Sequence, residues 1–324
     1  MTTRTELLKL LRSSRGEFLS GQKIGETLGI SRNSVWKAVA QLKKEGYPIE
    51  GKSNAGYRLT AASDPLTPGD VESVLRVPCD IQVHDVVTST NDIARSMPLS
   101  HRPAAIIANQ QSAGRGRLGR SFESPGDTGL YMTIALKPAF ALNKALFVTM
   151  ACAVAACRAI ERVCGVSPSI KWVNDIFLEQ KKICGILTEA QSNLETGEID
   201  SLIIGTGINC FPSSFSPEIS HIAGCISDTP GAFSRGELAG ELINQTADIL
   251  EDIESRSFFS EYRARCFILG QRILVHAHYD SRSTLALARD IDEDGGLIVE
   301  YLEGPRAGIL ETLHTGEISI VPVQ

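Results

Sequence analysis

No stretch of the chain approaches the ~18 consecutive apolar residues that a membrane-spanning helix needs, and no apolar run follows Met1. The expectation is a soluble, cytoplasmic protein without a membrane partner. CxxC pairs are missing as well. The eight cysteines (Cys79, Cys152, Cys157, Cys164, Cys184, Cys210, Cys225, Cys266) are scattered through apolar sequence, which points to buried reduced thiols rather than to a zinc site. The six histidines form no metal motif: His276 and His278 alternate along one strand face but lack a third ligand, so metal ligands stay unassigned. Internal repeats and low-complexity tracts are also absent.

What is present is a chain of 324 residues, 43% hydrophobic, enough for two or three domains with a sizeable core. Its net charge of −6 hides an asymmetry, because residues 1–60 carry eleven Lys/Arg against five Asp/Glu and the remainder is correspondingly acidic. A basic cap on an acidic body suggests one face that meets a polyanion.

Leu7, Leu8, Leu10 and Leu11 predict a first amphipathic helix, and Ser20 precedes a second that contains Ile24 and Leu28 and stops at Gly29. Ser31 is a suitable N-cap for a third, in which Val35, Val39 and Leu42 define one buried stripe. Gly46 closes it, and Ile49 to Leu59 reads as two short strands around a turn at residues 52–56. This order predicts a winged helix-turn-helix. Ser31, Arg32, Asn33, Trp36 and Lys37 are the candidate DNA-contacting residues, with the third helix in a major groove and the wing on backbone phosphates.

A linker rich in turn residues, with Ser63, Asp64, Pro65 and Pro68, follows. Strands at 81–87, 105–109, 130–136, 170–173, 183–189 and 201–208 then mix with helices around 145–163 and 235–253, predicting an α+β domain with a mixed sheet. From Gln271 the alternation of apolar residues at 273–275, 285–288, 297–301 and 318–321 predicts a small all-β barrel. The expected division is 1–63, 64–270 and 271–324.

Four segments carry candidate chemistry. Ala113-Gly114-Arg115-Gly116-Arg117-Leu118-Gly119-Arg120 alternates glycine with arginine, giving a backbone that can approach a ligand closely and forked donors for phosphate or carboxylate. No Gly-Lys-Ser/Thr follows it, so P-loop binding of Mg-ATP is not implied. The others are Thr88-Ser89-Thr90-Asn91, Lys171-Trp172-Val173-Asn174-Asp175 with residues 181–187 (KKICGIL), and Gly205-Thr206-Gly207-Ile208-Asn209-Cys210. Taken singly, they are also readable as an exposed Arg/Gly turn, a helix cap or ST-turn, a hairpin with a lysine-rich turn and a strand with close-packed glycines.

Together, in this order, the STN, QxxAGRGRxGR, KWxND, KxxGIL and GxGIN elements resemble the bifunctional biotin protein ligases that also act as biotin operon repressors. The resemblance covers essentially the whole chain and implies an SH3-like fold for the C-terminal barrel. It implies an enzyme that joins biotin to ATP as biotinyl-5′-AMP, with Mg2+, and passes biotin to a lysine of the biotin carboxyl carrier protein of acetyl-CoA carboxylase. The same adenylate would promote a homodimer on operator DNA. By this match Arg117 and Lys182 are catalytic. Ser89, Thr90, Asn91 and Gln111 would meet the ureido head of biotin. Gly114, Arg115, Gly116 and Arg117 would form a loop over the ligand, and Gly185 would let a strand lie against it. Lys171, Asn174, Asp175, Arg120, Phe122 and Asn209 would face the nucleotide. Phe122 stands where the family often has tryptophan, and Val173 where it often has proline. A sensor without catalysis, or a lipoate- or octanoate-specific ligase of the same fold, are the competing readings.

Overall fold

A computed structural model describes residues 3–14, 16–44, 46–60, 64–138, 145–192, 199–276, 283–314 and 317–320. Residues 61–63, at the expected first boundary, together with His278 and Val321, lie outside these.

The N-terminal unit packs α1 (Thr3–Ser13), α2 (Gly21–Leu28) and α3 (Arg32–Lys44) under an antiparallel hairpin of β1 (Ile49–Lys52) and β2 (Gly56–Leu59). The turn between α2 and α3 is sharp for two reasons. Gly29 adopts a left-handed φ of 65° that a side chain resists, and Gly25 has no Cβ to collide with the Ile30 carbonyl. Ser31 Oγ then accepts from the Ser34 N–H at 3.1 Å, starting α3. Val35, Val39 and Leu42 are buried as their spacing predicts, against Leu7, Leu11 and Ile24.

After α4 (Pro68–Glu72), a seven-stranded sheet is built from β3 (Asp80–Val87), β4 (Ala104–Gln111), β5 (Gly129–Leu136), β6 (Ser169–Lys171), β7 (Asp175–Leu178), β8 (Lys181–Ser192) and β9 (Ile199–Asn209). Its order is β3-β4-β5-β9-β8-β7-β6, with β3 and β4 parallel and the other neighbours antiparallel. The mixed sheet is as predicted. α5 (Thr90–Ser96) covers one face through Ala94, which joins Ile106, Ala135 and Ile203. The larger apolar cluster holds α6 (Ala145–Cys164), α8 (Arg235–Glu251) and α9 (Phe258–Arg265); the short α7 (Pro217–Ser220) precedes α8. One predicted strand is shorter than expected. The 170–173 segment stops at Lys171, because residues 172–174 turn the chain back so that Asp175 pairs with Lys171.

The C-terminal strands, β10 (Arg272–His276), β11 (Ser283–Ile291), β12 (Leu297–Tyr301), β13 (Leu310–Leu313) and β14 (Glu317–Ile320), form an antiparallel sheet of order β13-β12-β11-β10-β14. β13 was not predicted: it is a short edge strand without a buried residue to mark it. Ile273, Ala286, Ile291, Leu297 and Val299 belong to the same apolar cluster as α6 and α8, so this sheet is fused to the central one. The Trp172 Nε1–H donates to the Gly295 carbonyl across the junction at 3.0 Å. All eight cysteines are free. Burial pushes Cys79, Cys152, Cys157, Cys164 and Cys266 up to about 12, and Cys184 and Cys210 well above the ordinary thiol value, so these thiols stay protonated at neutral pH.

The linker is seated by charge. Arg235, with its side chain 3% exposed, pairs through Nε with Asp64 Oδ2 at 2.9 Å, and also donates to Asn109 Oδ1 and the Gly129 carbonyl. Burial pushes the Asp64 carboxyl above its ordinary value, against the pull of Arg235. Nearby, Tyr47 Oη donates to Asp70 Oδ2 at 2.6 Å, tying the N-terminal unit to α4. Arg235→Met strands a buried carboxylate, and an unfolding titration in urea is expected to show a loss of about 3–5 kcal/mol. Arg102→Met, which removes only a surface pairing with Asp80, is expected to change stability by less than ~0.5 kcal/mol.

Candidate active site

A concave feature with convergent polar groups lies over the β8–β9 ladder. Gly185 pairs with Gly207 and Leu187 with Gly205, so three of these four same-face positions lack a side chain and the sheet surface is hollow there. Other segments fill part of the hollow. A Cβ on Gly205 would stand 2.3 Å from Asn91 Oδ1, and one on Gly207 would stand 2.5 Å from the Phe122 ring. The cavity encloses about 900 Å3, its open mouth included.

One wall comes from the start of α5. Ser89 occupies the N-cap position but makes no capping bond with its side chain, and it lines the cavity while only 1% exposed. Thr90 and Asn91 form the first helical turn after it, so the segment is a helix start, as its reading as a helix cap suggests. Gln111, the last residue of β4, accepts at Oε1 from the Thr90 N–H at 2.9 Å and donates from Nε2 to Ser124 Oγ at 2.8 Å. The Asn91 amide is held at both ends: Nδ2 donates to Glu189 Oε2 at 2.9 Å and Oδ1 accepts from Thr133 Oγ1 at 2.6 Å.

The arginine loop folds back as a small hairpin. Leu118 (φ 56°) and Gly119 (φ 75°) are both left-handed, and the Gly116 N–H donates to the Arg120 carbonyl at 2.7 Å. Leu118 sits at the tip, 60% exposed. Arg115 Nη1 donates to Asp92 Oδ1 at 3.0 Å, and Arg117 Nη1 to Asn174 Oδ1 at 2.8 Å. Asn174 is itself fixed, its Nδ2 donating to the Ile186 carbonyl at 2.9 Å. Lys182 Nζ lies 2.8 Å from Asp175 Oδ1. The Trp172–Val173 peptide is cis. Val173 is buried with its carbonyl accepting from Tyr262 Oη at 3.1 Å, and beyond it Asn174 meets Arg117 while Asp175 meets Lys182.

The cavity wall thus gathers Ser89, Thr90, Asn91, Gln111, Arg115, Gly116, Arg117, Arg120, Phe122, Lys171, Asn174, Asp175, Lys182 and Gly185. Two predicted residues stand apart. Gly114 lies behind the wall, where a Cβ would meet the Phe122 carbonyl at 2.3 Å, so its role is to let the loop base close. Asn209 lies outside the described lining; it is buried and donates from Nδ2 to the Gly224 carbonyl at 3.0 Å. Thr133 and Glu189 were not foreseen; Thr133 is a polar residue inside an apolar strand run, and Glu189 closes the strand expected at 183–189. Ile318, from β14, also reaches the wall.

The described lining carries five cationic side chains, Arg115, Arg117, Arg120, Lys171 and Lys182, against one carboxylate, Asp175. Such a wall suits anionic ligands. On the N-terminal unit, Ser31, Arg32, Asn33, Trp36 and Lys37 are all exposed along the start of α3, Trp36 by 60%. Ser31 is occupied as the cap, and Arg32 Nη2 donates to Gln22 Oε1 at 2.6 Å.

Three family descriptions match the chain: an HTH domain over residues 3–58, the biotin/lipoate A/B protein ligase family over 83–209, and a biotin protein ligase C terminal domain over 268–321. The bifunctional ligase/repressor BirA of Bacillus subtilis (strain 168) is 34% identical over 323 residues, covering 94% of this chain and 95% of that protein. That of Escherichia coli (strain K12) is 29% identical, covering 98% and 97%. The structure of biotin protein ligase from Aquifex aeolicus in complex with biotin and ATP shares the fold, with a TM-score of 0.62 at 24% identity over 75% of this chain and 99% of that one. No described helix is long and apolar enough to cross a membrane. With three matched regions in the expected order and a relative at this identity over nearly its whole length, the chain belongs to the family of bifunctional ligase/repressor BirA proteins.

Proposed function

We propose that this protein is an ATP-dependent biotin protein ligase that also represses transcription of biotin biosynthesis genes, in three units at 1–63, 64–270 and 271–324. The observation that carries this reading is one cavity in which a fixed polar row, Ser89 to Asn91 with Gln111, faces a cluster of cations. In the first step a carboxylate oxygen of biotin attacks the α-phosphorus of ATP, the bond to the bridging oxygen breaks, and pyrophosphate leaves. In the second the amine of a carrier lysine attacks the carbonyl carbon of the mixed anhydride. AMP leaves with the electrons of the acyl C–O bond, and the amine loses a proton as the amide forms.

The residues suit these demands. Ser89, Thr90, Asn91 and Gln111 bind the ureido head, while Gly185 lets the strand lie against the apolar ring and chain. Arg117 and Lys182 offset the repulsion between carboxylate and phosphate and stabilise the charge that develops at phosphorus. Arg115, Gly116 and Arg120, with Gly114 at the base, hold the loop over the adenylate and exclude water. Phe122 covers the ligand, and Lys171 and Asn174 face the phosphates. Mg2+ enters with ATP, and Asp175 is the carboxylate on the described wall that would hold it, as expected of a cation that takes one or two carboxylates plus substrate phosphates. Among the described residues there is no group of three or more His, Cys, Asp or Glu built for a resident metal.

Biotinyl-5′-AMP is read as the corepressor. By promoting a homodimer it brings two copies of α3 to half-sites related by two-fold symmetry on operator DNA. The partner in transfer is the biotin carboxyl carrier protein of acetyl-CoA carboxylase, and the setting is the cytoplasm.

Radiolabelled biotin, ATP, Mg2+ and a carrier domain, mixed with the protein, are expected to give covalent label on the carrier. Arg117→Ala and Lys182→Ala are each expected to slow adenylate formation by about 10²–10³-fold. Label from lipoate but not from biotin would overturn the substrate assignment, and no label from either would favour the sensor. In a mobility-shift assay with promoter DNA of the biotin genes, affinity is expected to rise when biotin and ATP are added together. Lys37→Ala is expected to weaken binding across sequences and to lower the salt slope by about one.

A further inference from the structure

Glu189 lies on β8 beneath α5, outside the described lining of the cavity, yet it joins two of its functional parts. Its Oε2 accepts from Asn91 Nδ2 at 2.9 Å; its Oε1 accepts from Arg95 Nη2 at 2.5 Å and lies 3.8 Å from Arg115 Nη2 in the arginine loop. Arg95 and Arg115 are both also bound to Asp92 Oδ1.

An ionised carboxylate only accepts hydrogen bonds, and that fixes the polarity of everything beyond it. Asn91 must turn its NH2 toward Glu189, so its carbonyl oxygen faces Thr133. The Thr133 hydroxyl has one proton and two neighbours, Asn91 Oδ1 at 2.6 Å and Thr90 Oγ1 at 2.8 Å. Asn91 Oδ1 has no proton to give, so the Thr133 proton is committed to it. The Thr90 proton is then shared between the Thr133 oxygen and Gln111 Oε1, which is 3.1 Å away. Asn91 Oδ1 and Thr90 Oγ1, on residues that line the cavity, each keep a lone pair beyond these bonds. That is the complement of the two N–H donors of a cyclic urea.

We infer that Glu189 is a positioning residue that sets the donor and acceptor pattern of the biotin-head wall through Asn91 and Thr133. The inference rests on the reading of this wall as the biotin site. A glutamine at 189 keeps the shape but can turn its own NH2 toward Asn91, which reverses the amide and the relay behind it. The loss of a charge-assisted bond is then felt in ground-state binding of the head group rather than in the chemistry at phosphorus.

The test compares Glu189→Gln, Thr133→Val, Thr133→Ser and the Glu189→Gln/Thr133→Val double variant with the full-length wild type, using calorimetric titration with biotin alone and steady-state adenylation. Glu189→Gln and Thr133→Val are each expected to raise KM and Kd for biotin about tenfold, with KM for ATP and kcat at saturating biotin within about twofold of wild type. Thr133→Ser, which keeps the hydroxyl, is expected to behave as wild type. The double variant should be no worse than about threefold beyond the poorer single variant, because both changes break one relay. If Glu189→Gln does not fold, Thr133→Val against Thr133→Ser still decides. Wild-type biotin affinity in Thr133→Val or Glu189→Gln, fully multiplicative losses in the double variant, or an equal rise in KM for ATP overturns the relay while leaving the ligase reading intact. A wild type that transfers label yet binds no biotin at this wall overturns the pocket assignment and the relay with it.

Discussion

Joining a carboxylate to a phosphate requires two anions to come within bonding distance, and the architecture of the cavity follows from that constraint. Two unit charges 4 Å apart repel by about 4 kcal/mol at the effective dielectric near a protein surface. A wall with five cations and one carboxylate offsets this, but the cations repel one another and need partners of their own. Those partners differ in kind. Arg115 and Lys182 face carboxylates, Asp92 and Asp175, whereas Arg117 is bound to the neutral amide of Asn174. An amide orients a guanidinium without cancelling its charge, so of these three Arg117 keeps the most field for a ligand. Its position then depends on the hairpin turn at residues 172–174, which Tyr262 and Trp172 hold from behind.

Space for the ligand comes from omission. A twisted antiparallel ladder normally presents side chains at every second residue on each face, and a pocket there must be opened by leaving them out. Gly185, Gly205 and Gly207 do so on neighbouring strands, which explains why Asn91 and Phe122 can descend to the sheet surface. The glycines and the polar row are therefore one device. A Cβ at 205 would displace the same Asn91 that Glu189 and Thr133 orient.

Much of this is legible in the sequence. Periodicity at Val35, Val39 and Leu42 marked the buried face of α3, and the alternation of strands and helices marked the mixed sheet. The motif order brought Arg117, Asn174, Asp175 and Lys182 onto one wall although up to 65 positions separate them. What periodicity and motif could not reveal were pairings set by register and packing. Asn209 sits inside the GxGIN element on the same face of β9 as Gly207, yet two residues further along and outside the described lining, where its amide is bound to the Gly224 carbonyl. Thr133 and Glu189 carry no motif of their own; only the cross-strand geometry makes them partners of Asn91. Ile318 reaches the wall from a sheet that the sequence reads as a separate barrel. The fusion of the two cores follows from contacts between residues more than a hundred positions apart, which no local pattern encodes.

The N-terminal unit differs in this respect, since its apolar cluster is separate from the one that joins the central and C-terminal sheets. Its attachment uses polar contacts: Tyr47 with Asp70, and the linker residue Asp64 in its seat beside Arg235. Polar contacts are directional, so they hold an orientation without merging two cores. Arg235 also donates to Asn109 in β4, and the same strand ends two residues later at Gln111, on the polar wall of the cavity. A rotation of the N-terminal unit must therefore break or rearrange bonds to charged acceptors, each worth about 1.5–3 kcal/mol. Coupling free energies between distant sites typically amount to about 1–3 kcal/mol. The linker seat, of comparable magnitude, thus adjoins the same end of β4 that carries Gln111 on the cavity wall.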